Sequence, residues 1–215
     1  VRDVDEARDG DAALGALADL VVLDALAASW RVGPLGERRF VPGFDPLGPG
    51  TDARVLVLLQ SPAPVTVSHG VDAVASEDND APSSRAFRAA RLESGLGRGD
   101  YLRWNVVPWA LENPVTQGPG AGRPASRRTG PTPDELDAAA PALHALLTAL
   151  PHLRAVVALG DATLAGVMRY LTLHDSPVIV PVLAAPHPSP ANGHRRHERH
   201  VRIVNALRRA RSLAD

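Results

Sequence analysis

The chain has neither cysteine nor lysine in its 215 residues. Without cysteine it can hold no disulfide, no thiolate zinc site and no cysteine-ligated iron–sulfur cluster. Without lysine it has no side-chain amine for a Schiff base, which leaves only the N-terminal amine for imine catalysis. Aromatic residues are 4% of the chain, so the core has to be built mainly from Leu, Val and Ala. No apolar stretch reaches the roughly 20 residues of a membrane helix. The first residues show no signal-peptide pattern, so a cytoplasmic chain without a membrane partner is the expectation. A formal net charge of −1 gives no global attraction to polyanions, and the arginines matter only where they cluster.

What is present reads as a soluble globular protein, 45% hydrophobic and 22% charged. The length suits a single domain, here an N-terminal helix and loop over 1–50 and an α/β body over 51–215. The bias toward Ala, Arg, Gly and Pro points to a GC-rich bacterial genome. No internal repeat is visible.

Asp11 to Trp30 carries Leu at helical spacing, after an acidic start. Gly33 to Gly50 is a Gly- and Pro-punctuated loop, tied down by Phe40, Val41 and Phe44. Arg54 to Leu59 is a short continuous apolar run, the pattern of a strand buried on both faces. Val65 to Asp80 reads as irregular. Pro82 to Gly95 reads as a helix capped by Ser83 or Ser84, with Phe87, Ala90 and Leu92 inward. Asp100 to Trp109 is a second strand, stopped at Pro108. Asn113 to Pro133 is a long loop holding Arg123, Arg127 and Arg128. Thr132, Pro133 and Glu135 form a capping box that opens a helix to Leu150. Arg154 to Gly160 is a third strand, and Asp161 caps the helix after it. Pro177 to Ala184 reads as a buried fourth strand, and Glu198 to Leu213 as a final helix with Val201, Val204, Leu207 and Leu213 inward. Strands alternating with helices predict a three-layer α/β/α fold around a four-stranded, mainly parallel sheet. In such sheets ligands bind beyond the carboxyl ends of the strands.

Polar side chains gather at those ends. Gln60-Ser61-Pro62-Ala63 follows the first strand, Asn105 ends the second, and His187-Pro188-Ser189-Pro190 follows the fourth. Prolines on both sides of His187 restrict its backbone, as suits a side chain that must be aimed. These three segments, in this order, resemble the motifs of the uracil-DNA glycosylase superfamily. His187 to Pro190 matches the second family motif outright. Trp104-Asn105-Val106-Val107-Pro108-Trp109 looks like the strand carrying the base-reading Asn, and Ser76 to Asp80 looks like a bacterial branch of the superfamily. The resemblance spans roughly Phe44 to Arg209.

The resemblance implies a monofunctional DNA glycosylase, with DNA as partner, a monomeric chain and no cofactor or metal. Asn105 would read the edge of a flipped base, and its amide can donate and accept at once. His187 would donate to the base as negative charge develops on it. Ser189 would hold a phosphate. Pro62, Ala63, Val74 and Asn79 would border the base, with Val74 near the family's stacking aromatic and Ala63 where a bulky residue excludes the thymine methyl. The water would be positioned by Ser61, Gln60, Asp78 or Asn79, none of them clearly singled out. Ala191 and Asn192 would form the wedge entering the duplex, and Arg195 and Arg196 a local phosphate-binding patch. The cysteine-ligated branch of the superfamily is excluded.

Other classes fit less well. His194, His197 and His200 recur every third residue, but no acidic motif of the zincin type accompanies them, and the surrounding arginines repel a cation. There is no nucleophile elbow, Walker motif or Gly-rich dinucleotide fingerprint. The alternative within the superfamily is a non-catalytic or altered-substrate member that binds nucleic acid.

Overall fold

The computed structural model describes residues 20–111, 130–189 and 195–215. The acidic start, Arg123, Arg127, Arg128, His194 and the wedge candidates Ala191 and Asn192 lie outside them. Within them the sheet has strands β1 (Val55–Leu59), β2 (Tyr101–Asn105), β3 (Ala155–Leu159) and β4 (Val182–Ala185), all parallel, in the order β2-β1-β3-β4. Helix α1 covers 20–29; α2 (Pro64–Ser68), α3 (Pro82–Ser94), α4 (Pro133–Thr148), α5 (Asp161–Leu173) and α6 (Arg196–Ala214) follow. This is the three-layer α/β/α architecture expected.

Alternation along the strands sorts side chains into two cores. Even-numbered Leu56, Leu58, Leu102, Trp104 and Val156 pack with α1, α4 and α5. Odd-numbered Val55, Val57, Leu59, Tyr101, Val157 and Leu159 pack with α3 and α6. All of β1 is buried, which is why it carries no polar side chain until the chain leaves the sheet at Gln60. On the even face Phe44 stacks on Trp104, 3.7 Å between centroids and 11° between planes, with Trp30 tilted at 6.0 Å from Trp104. The loop aromatic thus clamps the strand that bears Asn105.

Several local expectations change. The segment after Pro64 contains α2 and a 3-10 turn at Gly70–Asp72, because Pro64 occupies the first helical position, where its missing N–H is no loss. The N-cap of α3 is Ala81, and neither Ser83 nor Ser84 caps it; Ser84 instead accepts from Arg103. Gly95 closes α3 in the left-handed conformation, at φ +74°. Leu92, Val201 and Leu213 face solvent rather than the core, since α3 and α6 press only narrow stripes on each other and on the sheet. The capping box at Thr132 forms as read. Asp161 is not a cap but the first residue of α5; Gly160 precedes it with φ +102°. The fourth strand is only four residues, sits at the sheet edge and is half-buried, and Ile179 before it is exposed. An edge strand has one bare side, which is why the apolar run 177–184 does not imply full burial there.

Candidate active site

The register sets residues of different strands at one level. Leu59 pairs with Asn105, and Leu159 with Ala185. Asn105, Ser61 and His187 continue the odd-numbered face, so the chain leaves the sheet with all three on the α3/α6 side. A pocket there is lined by Ser61, Pro62, Ala63, Asn79, Arg103, Asn105 and His187, with Pro42, Thr66, Ala75, Ser83, Ser84 and Trp104 also in its wall. Among the described residues no carboxylate lines it.

Asn105 is buried. Its amide has no hydrogen-bond partner among the described residues, while buried amides are generally paired. Both its donor and its acceptor are left for a ligand. His187 is fixed differently. The Ser189 N–H donates to its Nδ1 at 3.1 Å, which leaves the proton of the neutral ring on Nε2. Burial first, then the Arg103 and Arg199 cations, push this imidazole below its ordinary 6.5. The backbone of His187 lies over Gly160, where a Cβ would come within 3.1 Å of the His187 Cβ. That close approach and the positive φ together require glycine there.

The depressed His187 value has a thermodynamic sign. The unfolded chain accepts a proton that the folded chain resists, so between the lowered value and 6.5 the unfolded state holds more protons. Stability rises with pH across that window, is free of this penalty above it, and carries it in full below both values. In an NMR titration the His187 ring is expected to stay neutral to below 6.5; a midpoint at or above that value would contradict the burial argument.

The remaining expected residues separate. Gln60 does not line the pocket; its carbonyl accepts from the Val107 N–H at 3.0 Å, extending the β1–β2 ladder. Asp78 turns away, pairing with Arg98 at 2.6 Å and Arg88 at 3.3 Å, and it is exposed. Val74 also stays outside the pocket; its carbonyl accepts from the Asn79 side chain at 2.9 Å, and Ala75 and Pro42 occupy the wall in its place. Asn79 does reach the pocket, its amide nitrogen 3.4 Å from Thr66 Oγ1. Ser189 lies across His187 in a second, wider cleft of about 410 Å³, with Gly160, Asp161, Arg199 and Arg202. Arg199 donates to the Ser189 carbonyl. Arg195 is the N-cap of α6 and Arg196 its first residue, and both are exposed. No group of described residues could hold a metal ion; His200 instead meets Glu93 at 2.7 Å.

Two features escaped the sequence. One is Arg103, whose charge in the middle of an apolar strand was a signal in plain view. The other is the buried Glu77, bound by Arg91 at 2.5 Å, which with Asp45 and Arg98 holds the 74–80 segment against the body. Their partners are far apart in sequence, so no local pattern announces them.

Fold and pocket define a parallel α/β/α protein with an amide and a neutral imidazole converging on one depression at the strand ends. A family model of the uracil DNA glycosylase superfamily matches residues 46–210. The chain belongs to that superfamily. No curated protein matches it. No helix among the described residues is long and apolar enough to cross a membrane.

Proposed function

We propose that this protein is a monofunctional DNA glycosylase that hydrolyses the N-glycosidic bond of uracil or another deaminated base flipped out of DNA. The observation that carries this reading is the unpaired Asn105 amide in the same pocket as His187, whose tautomer is fixed by Ser189. Pure DNA binding needs neither. A base inside a duplex is out of reach, so the target nucleotide turns into the pocket, where an amide that donates and accepts matches an edge bearing both functions. The C1′–N bond then breaks with both electrons going to the base. His187 donates from Nε2 to the charge developing there, which an imidazole kept neutral does without losing its proton. A water oxygen bonds to C1′ and releases one proton, and the base takes up one proton on leaving, so the net change is addition of water. With no carboxylate in the pocket, Ser61 and Asn79 position this water by hydrogen bonding. Ser189, Arg199 and Arg202 in the adjoining cleft suit a backbone phosphate.

The missing carboxylate favours a second reading, a superfamily member that binds nucleic acid without excising uracil. Incubating purified protein with oligonucleotides carrying uracil, hypoxanthine or xanthine separates the two. Release of any of the three supports the glycosylase. Retained DNA binding with no release supports the second reading.

Arg195 and Arg196 test the interface separately. Replacing both with alanine is expected to weaken DNA binding and to reduce the slope of log affinity against log salt by roughly 2, about 0.9 for each phosphate no longer neutralised. An unchanged slope would place them outside the DNA-binding surface.

A further inference from the structure

Arg103 stands on β2 two residues before Asn105, so both side chains leave the same face of the sheet. Its Nη1 donates to the Ser76 carbonyl, and its Nη2 lies 3.3 Å from Ser84 Oγ. Its Nε is closed off from solvent and has no partner. Both acceptors are neutral, and no described carboxylate pairs with it. The nearby carboxylates are already taken: Glu77 by Arg91 at 2.5 Å, Asp45 by Arg98 at 2.7 Å, and Asp78 by Arg98 at 2.6 Å. Arg103 is therefore a cation with no ion pair of its own in the wall of the pocket that contains Asn105 and His187; Glu77 and Asp45 act on it only from beyond pairing distance, and each is already paired with another arginine. A charge out of water is strongly unfavourable unless something offsets it. Two neutral hydrogen bonds, the face of Phe87, 5.7 Å away, and the distant Glu77 and Asp45 carboxylates offset it only in part, since burial still outweighs them.

We propose that Arg103 is a catalytic residue whose guanidinium is the fixed counter-charge for the base as it leaves as an anion. This rests on the glycosylase reading and deepens it. When the C1′–N bond breaks, the electron pair passes to the base, while a water oxygen bonds to C1′ and sheds a proton. The neutral His187 offers the base a dipole only. Arg103 supplies the full positive charge, in a site shielded from water where such a charge acts strongly. The bases this arrangement favours are rings that spread their anion over carbonyl oxygens. An aminopyrimidine, which leaves as a poorer anion, is disfavoured. A purely structural Arg103 would only tie the Ser76 segment to α3, and the two roles differ in what they do to leaving groups of unequal acidity.

The test compares the wild type, R103Q and R103K in single-turnover release of uracil and of the more acidic 5-fluorouracil from otherwise identical oligonucleotides. Near-ultraviolet circular dichroism checks that each variant is folded. R103Q is expected to slow uracil release about 100-fold and 5-fluorouracil release distinctly less, because the better leaving group needs the cation less. R103K, which keeps the charge, is expected to recover much of the uracil loss. Equal losses on the two bases, or no loss, overturn the proposal. A second measurement does not depend on cleavage. Free uracil and 6-azauracil, isosteric rings of which the second is ionised at mildly alkaline pH, are titrated into each protein and followed by NMR. The wild type is expected to bind the 6-azauracil anion about 10-fold more tightly or better, and R103Q to lose that preference. A wild type without the preference overturns the role of Arg103. A wild type that prefers the anion yet releases no base from DNA overturns the glycosylase reading and leaves Arg103 as the anion's counter-charge.

Discussion

Replacing His187 with alanine is expected to slow single-turnover release of uracil by roughly 10²–10³-fold, the range seen when one preorganised donor to a developing anion is removed, about 2.7–4 kcal/mol. The size follows from how completely the ring is prepared. The Ser189 N–H holds Nδ1, Gly160 allows the backbone to sit close, and burial with two arginine cations keeps the ring neutral. None of this has to be assembled when the base arrives. DNA affinity should change little, because Arg199 and Arg202, the cations of the cleft that His187 also lines, are kept. The informative result is a rate loss without a binding loss, read from single-turnover kinetics alongside equilibrium binding. A variant that releases uracil within about threefold of the wild type would take His187 out of the chemistry, since that corresponds to well under 1 kcal/mol.

The second large effect is on stability. Trp104→Ala should destabilise the fold by about 3–5 kcal/mol, the usual range for a large aromatic truncated inside a core. Trp104 is only 1% exposed and stacks on Phe44 in a three-ring cluster with Trp30. The cavity could close only if the 40–44 loop moved inward. For a chain of this size the melting temperature should fall by roughly 6–20 °C. Calorimetry of the variant checks this, and a drop under about 2 °C would mean that the loop collapses to fill the space. The partner substitution Phe44→Leu removes the stack but keeps much of the volume, and should cost clearly less.

Much of the fold was readable because its signals are local. A five-residue apolar run cannot be an amphipathic helix, and β1 became a fully buried central strand. The Thr132 capping box needs only four residues and formed as read. The misreadings came from properties set by distant partners. Whether Ile179 is covered depends on whether another strand lies outside β4, and none does among the described residues. The site divides the same way. Asn105 and His187 could be named because strand ends and the His-Pro-Ser-Pro run mark them. Asp78 looked like an available carboxylate until three-dimensional neighbours, Arg98 and Arg88, claimed it. Val74 and Gln60 fell one residue or one side away from the pocket, a distinction that turns on backbone direction rather than composition.

The aromatic clamp has a practical consequence. The chain contains three tryptophans: Trp30 and Trp104 in the ring cluster, and Trp109 beneath the Arg39 guanidinium at 4.2 Å. Trp104 is bonded directly to Asn105, and it forms part of the pocket wall. Any shift of β2 as a nucleotide enters alters the stacking of its indole on Phe44, and with it the emission of the protein. Substrate entry should therefore be visible as a change in intrinsic fluorescence, with no label attached to protein or DNA, and its rate can be timed apart from bond breaking.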